Sequence, residues 1–265
     1  MFGIPNIETQ KSDTFSNIML PWNSVKAGLG SRLGILQKRF ISLHTVTTPN
    51  ENALKFISPD TQFVPSKFTS TVEIDSLADA VEKSPLAEKL YKINGVHSIM
   101  LGPNFVTVNK VENALSNNEE LNWEHLTPKI SRVITNAVDS NVPTLKKAYV
   151  AELEREMEEA EYEEEDDVVY DIKELINTRI KPALQDDGGD IQFRSFDDTT
   201  GTVYIKLRGA CKSCSLSEET LKSGIQNMLI HYIPEVSSVQ AVLDPEEEIA
   251  IQEFEKLEKR LKGAH

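Results

Sequence analysis

Cysteine is scarce in this 265-residue chain, in which only Cys211 and Cys214 carry thiols. Two cysteines cannot build the disulfide framework of a small secreted protein. They also cannot supply the four thiolates of a closed metal site within a single chain. The sequence therefore excludes a disulfide-stabilised scaffold and any four-cysteine metal site made by one copy alone.

The chain also lacks long hydrophobic runs, and its C-terminal half lacks an excess of basic charge. No stretch approaches the ~18 consecutive apolar residues that a membrane span needs. Residues 1–150 hold 15 basic and 14 acidic residues, whereas residues 151–265 hold 13 and 28. A nucleic-acid partner would require a basic surface to neutralise its phosphates. Membrane insertion and nucleic-acid binding are therefore excluded as functions.

Acidic residues are absent between Thr14 and Asn50, a segment that carries four basic residues and several serines. This composition is typical of a mitochondrial transit peptide. Four apolar residues of the segment fall on one face of a helix: Leu29, Leu33, Leu36 and Phe40. We therefore predict a leader over residues 1–50, processed between Phe40 and Thr48, and a location in the mitochondrial matrix.

The next segment, residues 54–148, is predicted to form a small α/β domain. Two β-prone runs flank Gly102-Pro103-Asn104, which is typical of a hairpin. A helix is predicted to start at Thr127 and Pro128. This domain contains no cysteine, so we assign it to partner recognition or to tuning of assembly rather than to ligand binding.

An acidic linker, residues 149–167, follows this domain. Residues 151–167 include eleven acidic residues and one arginine, a composition that repels itself and stays solvated. We expect the linker to let the domains on either side move independently. A cysteine domain is predicted over residues 168–244 and a charged helical tail over residues 245–265.

The cysteine domain is predicted to have the order α-β-β-α-β, with helices packed on one face of a three-stranded sheet. Its first helix has an apolar face that Pro182 ends or kinks. Six apolar residues form the stripe of its second helix: Leu216, Leu221, Ile225, Met228, Leu229 and Tyr232. The fold class is thus α+β, with two small α/β domains joined by the acidic linker.

The motif Cys211-Lys212-Ser213-Cys214 lies between a predicted strand end and a predicted helix start. Ser215 and Glu218 have the spacing of a capping box, so the helix is predicted to begin directly after Cys214. The positive end of the helix dipole would then face the thiols, and this favours thiolate. Two neighbouring basic side chains add to this effect: Arg208 and Lys212.

Ligand number decides what such a thiolate pair can do. Zinc and iron–sulfur clusters generally require four protein ligands, so two copies must bring their Cys211 and Cys214 together around one site. A cluster held in this way could be handed on, because separating the subunits removes half of its ligands. A zinc-bridged structural dimer remains an alternative. A thiol–disulfide oxidoreductase is the other, since C-x-x-C at a helix start is also a dithiol signature.

Three segments resemble the NifU C-terminal-type domain: Leu184 to Asp190, Gly209 to Cys214 and Thr220 to Ile225. The whole chain after the leader is similar to mitochondrial Nfu-type iron–sulfur proteins. One departure is Ser215, where the family commonly has proline, and serine also serves at a helix start. We interpret Asp187-Gly188-Gly189-Asp190 as a turn whose glycines allow positive φ, and not as ligands.

This resemblance implies a scaffold or carrier, and not an enzyme. It implies a [4Fe–4S] cluster shared between two chains through Cys211 and Cys214, although the spacing leaves [2Fe–2S] open. It also implies a homodimer at the cluster site, upstream cluster assembly factors, and client apo-proteins such as lipoate synthase, aconitase and subunits of respiratory complexes.

Overall fold

The computed structural model describes residues 41–68, 70–111, 119–161, 166–212 and 215–243. All of these residues belong to one compact unit. None of the helices in these ranges is long and apolar enough to cross a bilayer. The predicted leader helix and the charged tail lie outside the described residues.

A five-stranded antiparallel sheet occupies the N-terminal part, with the strand order β1-β2-β5-β4-β3. Its strands are β1 (His44–Thr47), β2 (Ala53–Ile57), β3 (Val72–Ile74), β4 (Val96–Leu101) and β5 (Phe105–Lys110). The predicted hairpin is confirmed, because β4 and β5 pair across Gly102-Pro103-Asn104. The strand β1 lies within the span that the sequence assigns to the leader.

Three helices pack on one face of this sheet: α1 (Leu77–Lys83), α2 (Pro85–Leu90) and α3 (Trp123–Asp139). The hydroxyls of Ser76 and Ser84 cap α1 and α2 by accepting hydrogen bonds from the backbone N–H groups of Asp79 and Ala87. Val106 and Val108 of β5 join these helices in one core. Alternation then directs Thr107 and Asn109 to the opposite face of the sheet.

The predicted start of α3 at Thr127 and Pro128 is wrong, because the helix begins at Trp123 and contains Pro128. Leu126 is fully buried and its backbone N–H donates to the Asn122 carbonyl at 3.0 Å. Burial of this first turn outweighs the one helical hydrogen bond that Pro128 cannot donate.

The first part of the acidic linker is helical, since α4 spans Lys147–Glu161. Its apolar residues Tyr149, Val150 and Leu153 pack against the core of the five-stranded sheet, so the acidic side chains occupy the remaining faces. The amphipathic pattern at the start of α4 explains why a segment dominated by glutamate nevertheless docks on a core.

A three-stranded sheet forms the C-terminal part. Its strands β6 (Gly189–Asp197) and β7 (Thr202–Gly209) are antiparallel, and β8 (Ser238–Ala241) runs parallel to β7. The helix α7 (Ser215–Tyr232) connects β7 to β8. Ile191, Val203, Ile205 and Ile225 belong to a second core under this sheet. The predicted mixed α/β character is confirmed.

The helical segment before β6 continues through Pro182 and does not end there. It consists of α5 (Asp167–Leu175), a π-helical segment (Ile176–Ile180) and α6 (Lys181–Asp186), which follow one another without a break. A proline ring clashes with the carbonyl four residues before it, and the wider π turn relieves this clash. The apolar face therefore continues to Leu184, which is buried.

Two residues of the predicted α7 stripe are not in the core. Ile225 and Leu229 are buried, whereas Met228 is 38% exposed and Tyr232 is 52% exposed. Tyr232 instead stacks with Arg179, whose guanidinium carbon lies 5.1 Å from the ring centroid. One helix can bury only a stripe about 100° wide, and Ile225 and Leu229 already occupy it.

Truncating Ile205 to alanine should destabilise the C-terminal sheet, because Ile205 is fully buried on β7, the strand that leads to Cys211. The cavity left in the core is expected to cost about 2–5 kcal/mol of unfolding free energy, measured by urea denaturation. Ile230→Ala is the matched control, since Ile230 is 39% exposed. A loss of the same size in both variants would contradict the assignment of Ile205 to the core.

Candidate metal-cluster site

Cys211 lies in a tight turn directly after β7. The backbone N–H of Cys211 donates to the Arg208 carbonyl at 3.3 Å, and that of Lys212 donates to the Gly209 carbonyl at 3.2 Å. Gly209 has φ +62°, a left-handed conformation that glycine adopts without cost. We call residues 209–212 the cysteine loop. Cys211 is buried in it, with 8% of its surface exposed.

Gly188 and Gly189 bring the start of β6 against this loop. The Ala210 N–H donates to the Gly188 carbonyl at 3.2 Å, and Gly188 has φ +79°, which confirms the predicted turn with positive φ. Gly189 has a different role, because a Cβ there would lie 2.1 Å from the Cys211 Sγ. The second glycine is therefore required by the close approach of the cysteine side chain.

Cys214, the second predicted ligand, lies outside the described residues. The helix α7 begins at Ser215, as predicted, so its first turn follows the motif directly. A cavity of about 200 Å³ borders Cys211. Both parts of the chain line it, with Pro49 and Asn50 from the N-terminal part and Leu184 and Leu221 from the C-terminal part.

The five-stranded sheet contacts the backbone of the cysteine loop at three points. The side-chain amide of Asn50 donates to the Ala210 carbonyl at 3.0 Å, and that of Asn109 donates to the Gly209 carbonyl at 3.3 Å. The Gly209 N–H donates to Glu73 Oε1 at 3.2 Å. The two sheets, which the sequence treats as independent, are therefore in contact at the residues that precede Cys211.

Charged side chains surround the same contact. The Glu73 carboxylate lies 3.6 Å from Lys206 Nζ, 3.9 Å from Arg208 Nε and 3.9 Å from Lys212 Nζ. Lys212 Nζ also lies 2.8 Å from Asp75 Oδ2. The pKa of the Glu73 carboxyl is raised by its burial and by the negative charge of the neighbouring Asp75. The positive charges of Lys212 and Lys206 offset this rise only in part. Glu73 and Asp75 thus balance the positive charge beside Cys211.

Two further polar contacts join the sheets away from the loop. Thr71 Oγ1 donates to Asp190 Oδ2 at 2.5 Å, and the Thr71 N–H donates to the same oxygen at 3.2 Å. Lys55 Nζ donates to the carbonyl oxygens of Gln185 at 2.7 Å and Asp186 at 3.2 Å, where α6 ends. Burial lowers the pKa of Lys55, while the charges of Asp186 and of its neighbour Asp187 act against this shift.

Sequence reasoning missed these residues because they lie in a domain without cysteine or paired histidine. We call the set the polar face, which comprises Asn50, Lys55, Thr71, Glu73, Asp75 and Asn109. One signal was present in the strands, where Lys55, Thr107 and Asn109 alternate with apolar residues. Such alternation predicts a solvated face, but Lys55, Thr107 and Asn109 are all buried.

The residues at the site fit a soft metal better than a hard one. Cys211 offers a sulfur ligand at the border of the cavity, and thiolate sulfur suits zinc and iron–sulfur clusters. Of the two carboxylates of the turn, Asp187 also lines the cavity, whereas Asp190 accepts hydrogen bonds from Thr71 and from the Ile191 N–H. Asp190 therefore joins the two sheets.

Family models match both parts of the chain. Residues 43–141 match the N-terminal domain of the scaffold protein Nfu/NifU, and residues 172–240 match the NifU-like domain. The fold and the cysteine loop thus define a two-domain protein of the NifU-like class. The chain belongs to the mitochondrial NifU-like, or Nfu, family of iron–sulfur cluster scaffold proteins, as its relatives establish.

The mitochondrial NifU-like protein of Saccharomyces cerevisiae is 41% identical over 238 residues, which cover 86% of this chain and 90% of that protein. The human mitochondrial NFU1 iron-sulfur cluster scaffold homolog is 44% identical over 208 residues, which cover 78% of this chain and 74% of the human protein. A solution structure of the NifU-like protein from Saccharomyces cerevisiae aligns with 42% of this chain and with 89% of the solved chain. The sequence identity of this alignment is 29% and its TM-score is 0.35. The predicted mitochondrial location is confirmed by these relatives.

Proposed function

We propose that two copies of this chain bind one [4Fe–4S] cluster through Cys211 and Cys214 and deliver it to mitochondrial apo-enzymes. Each copy contributes two thiolates, so four are present when the two cysteine loops meet. The cluster is cargo in this proposal, and the chain is a carrier that catalyses no reaction. A scaffold role of this kind is supported by the names of the relatives.

The position of Cys211 carries the proposal. The turn after β7 and the missing side chain of Gly189 hold the Cys211 Sγ at a cavity, while α7 begins immediately after the motif. The pairing of β7 with β6 fixes the backbone before Cys211, and the short turn places its sulfur at the end of the sheet.

Transfer follows from the sharing of ligands between chains. Separation of two copies leaves each with two thiolates, so thiols of an acceptor protein can replace the ones that leave. The resemblance supports upstream cluster assembly factors as donors. It also supports lipoate synthase, aconitase and subunits of respiratory complexes as acceptors.

Anaerobic reconstitution of the full chain with ferrous iron and sulfide tests this function. The expected result is a brown dimer with about four irons per two chains. About two irons per two chains would indicate a [2Fe–2S] cluster instead. The measurement combines the visible spectrum, the iron content and the mass of the particle in solution. A monomer that retains the cluster without added thiol would contradict the proposal.

The two alternatives from the sequence give different results in the same preparation. One zinc per two chains and no uptake of iron would indicate a structural dimer. A colourless monomer that reduces insulin disulfides with a reductase would indicate an oxidoreductase.

A further inference from the structure

The polar face presents six hydrogen-bonding or charged side chains to the C-terminal part of the chain. Lys55, Thr71 and Asn109 are each at most 5% exposed, and the Glu73 side chain is 8% exposed. A sheet face of this composition is normally solvated. Here β7, the cysteine loop, the start of β6 and the end of α6 contact it and provide partners for its polar groups, although Asn109 Oδ1 has none.

The contacts of the polar face converge on the cysteine loop and its immediate supports. Asn50, Asn109 and Glu73 bind the backbone of Gly209 and Ala210, and Asp75 binds Lys212. Thr71 binds Asp190 at the start of β6, and Lys55 binds the end of α6. The face therefore recognises the loop conformation itself, including both peptide groups that precede Cys211.

We propose that the polar face is a docking surface for the cysteine loop, and that it competes with a second copy of the chain for that loop. The inference rests on the proposed function, because it concerns how two cysteine loops meet. In the docked form the polar face holds its own chain's loop. Pairing with a second copy requires the loop to leave that face.

The docked and paired states conflict at the cavity beside Cys211. Thiolate sulfurs lie about 2.3 Å from a metal that they bind, so the loops of two copies must approach within a few ångströms of each other. In the docked form Asn50 and Pro49 line the cavity that Cys211 also lines. Cys211 itself is only 8% exposed. A second loop that approached Cys211 through this cavity would meet Asn50 and Pro49.

The chemistry of the contact favours a reversible association. It consists largely of hydrogen bonds and ion pairs, whose polar groups can hydrogen-bond to water instead when the contact opens. Met100, which is buried beside Gly209, is an apolar side chain in the same contact. Burial of the Glu73 carboxylate also offsets part of its attraction to Lys206 and Lys212. The helical linker α4 remains packed on the five-stranded sheet through Leu153. Separation of the two sheets therefore needs no loss of either hydrophobic core.

The charge reversal Glu73→Lys tests the proposal in the full-length chain. A lysine at this position would face Lys206, Arg208 and Lys212 and would repel the cysteine loop. The Gly209 N–H donates a hydrogen bond to Glu73 in the docked form. We expect hydrogen exchange of this amide, measured by NMR, to become at least about tenfold faster in the variant. During loading with iron and sulfide, the chain concentration at half-dimerisation should fall by about tenfold, or 1.4 kcal/mol.

Glu82→Lys is the matched control, because Glu82 is exposed on α1 and its reversal changes the net charge equally. It should leave amide exchange and dimerisation as in the wild type. Lys55→Met provides a second undocking variant if Glu73→Lys does not fold. It removes the donor to Gln185 and Asp186 and retains an apolar side chain of similar length.

Two outcomes would overturn the inference. One is a Gly209 amide that exchanges in the wild type as fast as in the variant, since no docking would then exist. The other is faster exchange in the variant with an unchanged concentration for dimerisation, since docking and pairing would not compete. Failure of the proposed function is distinguishable, because a chain that takes up no iron in any variant would still report docking through Gly209.

Discussion

Cys211→Ser should reduce the iron bound after reconstitution from about two atoms per chain to background. A serine hydroxyl is a poor ligand for an iron–sulfur cluster, since it is harder than a thiolate and stays protonated near neutral pH. The substitution removes two of the four donors from a pair of chains at once. The visible absorbance of the cluster and the dimer that forms on loading should disappear together.

Cys214→Ser should have the same effect, because the two copies of Cys214 supply the other two of the four thiolates in the shared site. Far-UV circular dichroism and thermal unfolding of the apo-proteins provide the control for folding. Serine is close to cysteine in size, and Cys211 is one contact among many in the second core. Retention of the brown colour by either single variant would show that the assignment of ligands is wrong.

Gly189→Ala should weaken cluster binding although it alters no ligand. The added Cβ would lie 2.1 Å from the Cys211 Sγ and 3.1 Å from its Cβ, so the cysteine side chain must move. Changes in the residues that orient a metal ligand typically cost about 10–100-fold in affinity. We expect a loss of this size in competition with an iron chelator. Overpacking should also lower the unfolding free energy by about 1–3 kcal/mol.

Gly224→Ala is the matched control for this substitution. Gly224 lies in α7, and a Cβ there would have nothing within 4 Å. Replacement of a helical glycine by alanine should stabilise the chain by about 0.5–1 kcal/mol without affecting iron binding. Equal iron affinities for Gly189→Ala and wild type would mean that the cysteine side chain does not need the space beside Gly189.

Local patterns in the sequence predicted several elements of the fold. The β4–β5 hairpin follows from Gly102-Pro103-Asn104 between two β-prone runs, and the start of α7 at Ser215 follows from its cap spacing. These signals depend on residues close together in the chain. The start of α3 was not predicted correctly, because burial of Leu126 under the five-stranded sheet overrides the local preference at Pro128. Burial of that kind depends on distant parts of the chain.

For the candidate site, too, some features were predicted from the sequence and others were not. Spacing alone placed Cys211 between a strand and a helix, and residue types explained the positive φ at Gly188. The close contact of Gly189 with the Cys211 Sγ was not predicted. It arises because β6 and β7 pair so that Gly189 lies opposite Gly209. Strand register of this kind is decided by the whole sheet and cannot be read from the glycine pair.

Residue counting alone establishes that one copy of the chain has only two thiolates to offer, because ligand number is a property of composition. Composition says nothing about what covers the polar face. An alternating strand has the same pattern whether water or another domain lies over it. Only the tertiary structure shows that Asn50 binds the carbonyl of Ala210, 160 residues away. Contacts between such distant residues depend on how two complete sheets meet, and no local pattern encodes that.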